Sequence, residues 1–360
     1  MRKLMKVYLI MKNNNIKVSL IIPVYNVAPY VYRCLQSVYS QTYQNIEIII
    51  VDDCGTDNSI QIIEDFIQTN STLRSIKLIH HPFNKGLSAA RNTGIKESTG
   101  DYLYFLDSDD EITNNCIEIL VNETNTSKPD FIIADYKCIG SSVDMPPLSI
   151  KTKVLSNSVE ILKSFREQQW YVMAVNKLIK REFLIANELF FNDNIIHEDI
   201  LWSFMIACKA NCMKVIKDKT YLYYIRENSI TQSIKSENNK IYKERSNESK
   251  REIVSGMYMY CSIFNSDDRK NEIIKTFEEY KYLIFMSIVK TGIYSKKKLF
   301  NIYKDFRHLN DISNLSVFKL CSTSPKNSAK YFHYLLPEYF GFKYLISLEK
   351  INRELNTIRI

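Results

Sequence analysis

The chain lacks the marks of several protein classes. Its eight cysteines, at positions 34, 54, 116, 138, 208, 212, 261 and 321, form no Cys-x-x-Cys pair, and none of its five histidines stands beside them at zinc-ligand spacing. A zinc module is therefore excluded, and a disulfide framework is unexpected at this length. The cysteines read as reduced, mostly buried thiols of a cytoplasmic protein. No apolar run approaches the roughly 18 residues of a membrane-spanning helix; the best internal run, 282–289, is eight residues long. The opening MRKLMKVYLIMKNNN is basic, but its apolar stretch is too short for an export signal. Met11 is an alternative start, and residues 1–15 are expected to form a poorly ordered extension.

An even spread of charge is also missing. Residues 1–235 hold 26 Lys+Arg and 26 Asp+Glu, whereas 236–360 hold 22 against 14, so the whole excess of +8 lies in the last third. Such asymmetry points to a basic appendage facing an anionic partner, lipid or nucleic acid. The nucleic-acid reading fits worse, because no recognised module is present and the aromatics lack an RNA-recognition pattern. The remainder, 45% hydrophobic and 24% charged, is the composition of a globular protein with ample core.

What the chain does have is an apolar run, YLYFL at 102–106, closed by Asp107, Ser108, Asp109 and Asp110. Like charges that close raise one another's pKa unless a cation sits among them. Hard divalent cations take oxygen ligands, and magnesium is usually held by one or two carboxylates plus substrate phosphates. The cluster therefore reads first as a metal site that presents a phosphorylated ligand.

The first half alternates strand and helix patterns, the mark of a mainly parallel sheet with covering helices. Strands are expected over 18–24, 46–51, 76–79 and 102–106, with helices over 30–39, 58–68, 87–97 and 114–122. The strand ends carry Tyr25-Asn26, Asp52-Asp53 and 107–110, and ligands of open α/β sheets bind beyond the carboxyl ends of the strands. From 131 to 226 the pattern is mixed: a strand at 131–135, a turn-rich stretch at 140–147, helices at 158–167 and 197–209, and a strand at 221–225. Beyond a polar boundary at 233–239, helices are expected over 240–262, 270–290, 296–309 and 328–355.

Six segments in order make the chain resemble the family 2 glycosyltransferases, with their GT-A fold. They are SLIIPVYN (19–26), QTYQNIEIIIVDD (41–53), NKGLSAARNTGIKESTGDYLYFLDSDD (84–110), NKLIKREFL (176–184), HEDILWSF (197–204) and YYIRENSIT (223–231). The resemblance covers 16–235 and implies a catalytic domain there, followed by a helical, basic, aromatic-rich region at 236–360.

It further implies a nucleotide-diphospho-sugar site. Pro23, Tyr25 and Asp53 would form the base pocket, with Asp52 as the alternative carboxylate; core packing for Tyr25 and loop capping for the Asp pair remain open. Arg91 would reach the uridine or diphosphate side, since a guanidinium fork suits phosphate oxygens; a structural pairing with Asp107 is the other reading, and the two roles are compatible. Asp107 and Asp109 form the Asp-x-Asp motif. Asp109 would be the more direct ligand of Mg²⁺ or Mn²⁺, with Asp107 toward the ribose and Asp110 nearby. Asp199 would be the general base on the acceptor hydroxyl, although acidic residues also favour any first helical turn. Arg226 would lie near the diphosphate. Trp170, Asn176, Lys177 and Glu198 fall on the acceptor side, either binding sugar hydroxyls or packing that wall.

Two rival motifs share the strand-plus-acid pattern. A haloacid-dehalogenase phosphatase needs Gly-Thr where Asp110-Glu111 stand, and an EF-hand needs glycine where Ile112 stands. The expected activity is metal-dependent, inverting transfer of a hexosyl or N-acetylhexosaminyl group. The donor would be a UDP-sugar and the acceptor a glycan or lipid-linked hydroxyl, in surface polysaccharide synthesis. A non-catalytic nucleotide-sugar binder or scaffold of the same fold is the alternative. In the last third, Leu299, Ile302, Tyr303, Phe306 and Leu309 share a helical face rimmed by lysines, and 331–348 is dense in Tyr and Phe. Such a helix either lies on an anionic membrane, at the inner face of the plasma membrane, or caps the catalytic domain.

Overall fold

The computed structural model describes residues 16–70, 74–125, 128–140, 148–226, 239–264, 269–309 and 329–357. The N-terminal extension, most of the turn-rich stretch at 140–147 and the boundary at 233–238 lie outside them. The chain divides into two compact units, Met1–Ser233 and Ile234–Ile360.

In the first unit, strands β1 (Val18–Val24), β2 (Ile46–Asp52), β3 (Ser75–His80) and β4 (Tyr102–Phe105) are parallel, in the order β3-β2-β1-β4. β1 and β2 are buried at every position, which is why they read as apolar runs, broken only by Ser19 and Glu47 before their polar ends, rather than alternating ones. β3 is the edge strand, and Ser75, Lys77 and His80 on it are exposed. Between these strands lie helices α1 (Val31–Tyr39), α2 (Ser59–Asn70) and α3 (Leu87–Glu97). α3 lies close to β1 because Gly94 has no side chain: a Cβ there would fall 2.3 Å from Cγ2 of Ile21.

The chain then adds the short β5 (Glu111–Ile112), α4 (Cys116–Asn122), β6 (Phe131–Ile139), the short β7 (Val154–Leu155) and α5 (Ser158–Arg166). It continues through β8 (Lys177–Lys180), α6 (Arg181–Ala186), α7 (Glu198–Lys209) and β9 (Met213–Tyr224). Among the described residues all nine strands join one sheet, in which β8 runs antiparallel between β4 and β6. β9 is much longer than the strand expected at 221–225. Its first half carries Lys214, Lys217, Asp218 and Lys219, which hide the apolar period; Lys214 is nonetheless buried, with its ammonium on the Glu123 carboxylate at 3.1 Å. The extra length lies ahead of the expected part, whose Tyr221 and Tyr224 meet the acidic loop.

The second unit comprises helices α8 (Lys240–Cys261), α9 (Lys270–Lys290), α10 (Lys296–His308) and α11 (Glu338–Thr357), with 3₁₀ turns at Ser262–Phe264 and Phe332–Leu335. The single helix expected over 328–355 is interrupted. Leu336 is extended (ψ 152°) before Pro337, as the proline ring requires of the residue ahead of it, and α11 starts one residue later. On α10, Leu299, Ile302, Tyr303 and Phe306 are buried, packing with Phe285 and Phe342 inside this unit. The apolar stripe, left open by the sequence between a membrane face and a packed cap, is buried within this unit. No helix among the described residues is long and apolar enough to cross a membrane.

Candidate active site

Parallel register puts four strand ends at one sheet edge. Val24 pairs with Asp52 and Asp52 with His80, so Tyr25-Asn26, Asp52-Asp53 and His80-His81 stand side by side, with 107–110 following β4 on the other flank of β1. Backbone strain gathers here as well. Asn26 (φ 51°), Cys54 (φ 59°), Asn176 (φ 56°) and His197 (φ 67°) all occupy the left-handed region, where residues with a side chain persist only when their surroundings hold them.

The two aspartates after β2 differ. Asp53 is buried; its carboxylate accepts the N–H groups of Lys85 and Gly86, each at 2.8 Å, and lies 2.7 Å from Nδ1 of His81. His81 reaches on to Thr93 Oγ1 of α3 at 2.9 Å. These bonds pin the turn into α3, whose cap Gly86 sits at φ 91° and ψ 164°, a conformation that suits only glycine. Loop capping is thus what Asp53 does in this chain. Asp52 takes the Cys54 N–H at 3.0 Å and lies 2.8 Å from Nδ1 of the half-exposed His80. Tyr25 is 47% exposed, so its ring is an open face and not a core tyrosine, whereas Pro23 is buried in β1 opposite Val51.

Arg91, only 3% exposed on α3, is the hub. Its guanidinium meets Asp107 Oδ1 at 2.9 Å and Glu198 Oε1 at 2.5 Å, and stands 5.3 Å from the Phe191 ring. Phe191 in turn stacks on Trp202 of α7 at 4.3 Å. The pairing with Asp107 left open by the sequence is the one formed. Both terminal nitrogens of Arg91 are on carboxylates, while its buried Nε has no hydrogen-bond partner among the described residues. Glu198, expected on the acceptor side, is its buried counter-ion.

The acidic residues after β4 are equally distinct. Asp110 is buried and accepts the Tyr221 hydroxyl and the Tyr224 N–H, each at 2.7 Å, anchoring the loop to β9. Burial, then Asp109 and Asp107, push its pKa well up. Asp109 pairs with Nε of Arg226 at 2.5 Å. Burial and the nearby Asp107 raise its pKa against the pull of Arg226. Asp107 has the most open side chain of the loop's ion-paired acids, 30% exposed against 18% for Asp109.

No group of three or more His, Cys, Asp or Glu among the described residues forms a cation cage. Asp107 and Asp109 nonetheless suit a hard cation of the kind that one or two carboxylates hold together with phosphate oxygens and water. Each keeps an oxygen not used in its arginine pair, and their mutual repulsion is what such a cation relieves.

Asp199 stands in the first turn of α7, entered through the left-handed His197. Arg91 being occupied by Asp107 and Glu198, the partly exposed Asp199 has no salt bridge of its own among the described residues. Burial raises its pKa, Arg91 and Lys177 oppose this, and Asp107 adds to it. Lys177 is fully buried, its ammonium bonded to the Met173 carbonyl and 4.5 Å from the Tyr171 ring. Burial lowers its pKa to about 7, Asp199 holding it up and Arg91 pressing it down.

The other two acceptor-side candidates pack the wall. Trp170 is buried against Phe131 and Phe165 and donates to Ser164 Oγ at 3.0 Å. Asn176 spends its amide on the Ala134 and Asp135 carbonyls, and its oxygen on Tyr104 and Thr220.

Sequence reasoning missed His81, Tyr221 and Arg33. His80-His81 was within reach: reading the end of β3 like those of its parallel neighbours would have set it beside Asp52-Asp53. The seven cysteines among the described residues are free thiols, with Cys34, Cys116, Cys208 and Cys261 buried.

The glycosyl transferase family 2 model matches residues 19–186. The chain is 34% identical over 222 residues to an uncharacterized glycosyltransferase, EpsJ, of Bacillus subtilis, covering 60% of this chain and 63% of that one. It is 35% identical over 191 residues to an uncharacterized glycosyltransferase of Haemophilus influenzae, covering 53% of this chain and 71% of that one. Among solved structures, Staphylococcus aureus TarS 1–349 in complex with UDP-GlcNAc superimposes with a TM-score of 0.72 at 19% identity, over 94% of this chain and 92% of that one. The mannosyltransferase PcManGT of Pyrobaculum calidifontis, in complex with GDP-Man and Mn²⁺, gives 0.51 at 15% identity, over 92% and 85%. The strand order, the six motifs and these likenesses agree: the chain belongs to glycosyl transferase family 2 and has the GT-A fold.

Proposed function

We propose that the chain transfers a sugar from a nucleotide-diphospho-sugar, a UDP-sugar, to a hydroxyl of a glycan or lipid-linked acceptor in surface polysaccharide synthesis, with inversion at the anomeric carbon. The observation that carries this reading is the Arg91 bridge. One buried guanidinium ties Asp107 of the donor-side loop to Glu198, and Asp199, the next residue, lies within electrostatic reach of Arg91, Lys177 and Asp107.

The open ring of Tyr25 offers a stacking surface for a base, with Asp52 beside it as the carboxylate on the more exposed strand end. Arg226, 25% exposed, supplies positive charge next to Asp109 where a diphosphate would lie. Asp107 and Asp109 would hold Mg²⁺ or Mn²⁺. When bound, that cation neutralises charge developing on the departing nucleoside diphosphate. Asp199 accepts the proton of the acceptor hydroxyl, and burial raises its pKa, which makes its carboxylate a stronger base than an ordinary one. Attack from the Asp199 side, opposite the leaving group, is the geometry that inverts configuration.

The basic helical unit would meet an anionic membrane surface carrying a lipid-linked acceptor. Its charge excess and the exposed Phe332, Tyr339 and Phe340 support this, and flotation with anionic vesicles tests it. The main test is a thermal-shift and turnover screen of nucleotide-sugars with and without Mn²⁺. Stabilisation by a UDP-sugar, with loss of turnover in Asp199→Asn, supports the enzyme. Donor binding with no transfer to any hydroxyl acceptor favours the binding-protein alternative.

A further inference from the structure

Arg33, in the first turn of α1, meets the acidic loop at residues other than the Asp107 that Arg91 holds. Its Nη2 donates to the backbone carbonyl of Asp109 at 2.5 Å, and its Nε lies 3.5 Å from Glu111. Its guanidinium lies over the Tyr224 ring, with Cζ 3.7 Å from the centroid, and Cζ is 5.2 Å from the centroid of the Tyr30 ring. Tyr224 gives its own N–H to Asp110. Two residues on, Arg226 pairs with the Asp109 carboxylate and approaches the same Tyr30 ring, at 5.0 Å. One side chain therefore touches the main chain of Asp109, the carboxylate of Glu111 and the strand end that delivers Arg226.

We propose that Arg33 is a positioning residue that aims the Asp109 carboxylate and seats the end of β9 beside it. This rests on the reading above, in which Asp109 helps to hold a divalent cation and a nucleoside diphosphate. Two features set the mechanism. A guanidinium donates in its plane while stacking through its face, so Arg33 bonds the Asp109 carbonyl and grips Tyr224 at once; a lysine ammonium reproduces the bond and not the stacking. A carboxylate that is free to turn about its own backbone loses the alignment on which cation affinity depends, and removing such supporting groups typically lowers metal affinity by about 10–100-fold.

The test measures Mn²⁺ binding in the presence of UDP, by electron paramagnetic resonance and calorimetry, on the full chain. Arg33→Gln is expected to weaken Mn²⁺ affinity about tenfold. Arg33→Lys should recover part of that loss, and Tyr224→Leu should weaken binding without changing charge. Melting temperatures without metal should stay close to that of the unaltered chain, which separates aiming from folding. Donor KM should rise while kcat changes far less. If Arg33→Gln fails to fold, Arg33→Lys and Tyr224→Leu carry the test. Unchanged Mn²⁺ affinity in the folded Arg33 and Tyr224 variants, alongside loss in Asp109→Asn, would overturn the inference and leave the functional reading intact. An unaltered chain that binds neither UDP nor Mn²⁺ would overturn both.

Discussion

The Arg91 guanidinium and the Glu198 carboxylate meet at 2.5 Å although 107 positions separate them in the chain. The pair joins α3, which follows the base-side strands, to the first turn of α7, which carries the candidate base. Both groups are buried, so each depends on the other for the polar contact that water would otherwise supply. Breaking such a pair from one side is expected to be costly, about 3–5 kcal/mol. Arg91→Met should lower stability on that scale, because Glu198 would remain as a buried carboxylate without its cation. Adding Glu198→Gln should restore part of the loss. Urea unfolding of the single and double variants measures both.

Asp199→Asn keeps the shape of the first turn of α7 and removes the base. Turnover should fall by ~10²–10⁴-fold, the usual worth of a general base, with donor binding by calorimetry unchanged. A variant that keeps near-normal turnover would remove Asp199 from the role assigned to it.

The acid limb of the pH–rate profile should report Asp199. Burial raises its pKa, so the carboxylate takes up its proton at a higher pH than an ordinary aspartate, and rate should fall as pH drops through that raised value. Lys177 opposes the rise, so Lys177→Met should move the acid limb further up. A limb that does not move would show that the neighbouring ammonium does not tune the base.

Glu47 makes a separate prediction at the opposite end of the sheet. Burial would raise its pKa, but the Lys17 ammonium, the Ser19 hydroxyl and the Thr99 N–H and hydroxyl outweigh this and bring it to about 2, from an ordinary 4.5. A folded-state pKa below the unfolded value stabilises the fold above pH 4.5, and the contribution is lost as pH falls toward 2. The shift corresponds to roughly 3 kcal/mol at neutral pH. Glu47→Gln should lower stability at pH 7 by an amount of that order and flatten its decline between those limits, as followed by denaturant melts across pH.

Gly94→Ala should destabilise by about 1–3 kcal/mol through overpacking, since the added methyl would land 2.3 Å from Ile21 Cγ2. Thermal melting tests it, and Ile21→Ala in the same chain should recover part of the loss.

The buried parallel strands were legible because β1, β2 and β4 are apolar runs broken only by Ser19 and Glu47 before their polar ends. The helices of the last third were legible from their period, apart from the break that Pro337 imposes. β9 was only half visible, because a strand whose lysines are neutralised by partners such as Glu123 does not look like one. The orientation of the α10 stripe could not be read either. An amphipathic helix has the same pattern whether its apolar side meets lipid or Phe285 and Phe342, and only packing distinguishes them.

The amino-acid sequence alone determined the family, the GT-A sheet and the identity of the acidic loop, since strand periodicity and short-range motifs are local properties of the chain. Which acids serve the fold and which face the site was decided by tertiary structure. Asp53, Asp110 and Glu198 are consumed by His81 and two backbone amides, by Tyr221 and Tyr224, and by Arg91, whereas Asp107 and Asp199 retain exposure. Most of those partners lie tens of residues away or more, brought in by strand register and helix packing. A carboxylate's task depends on which donors reach it, and no short motif encodes that.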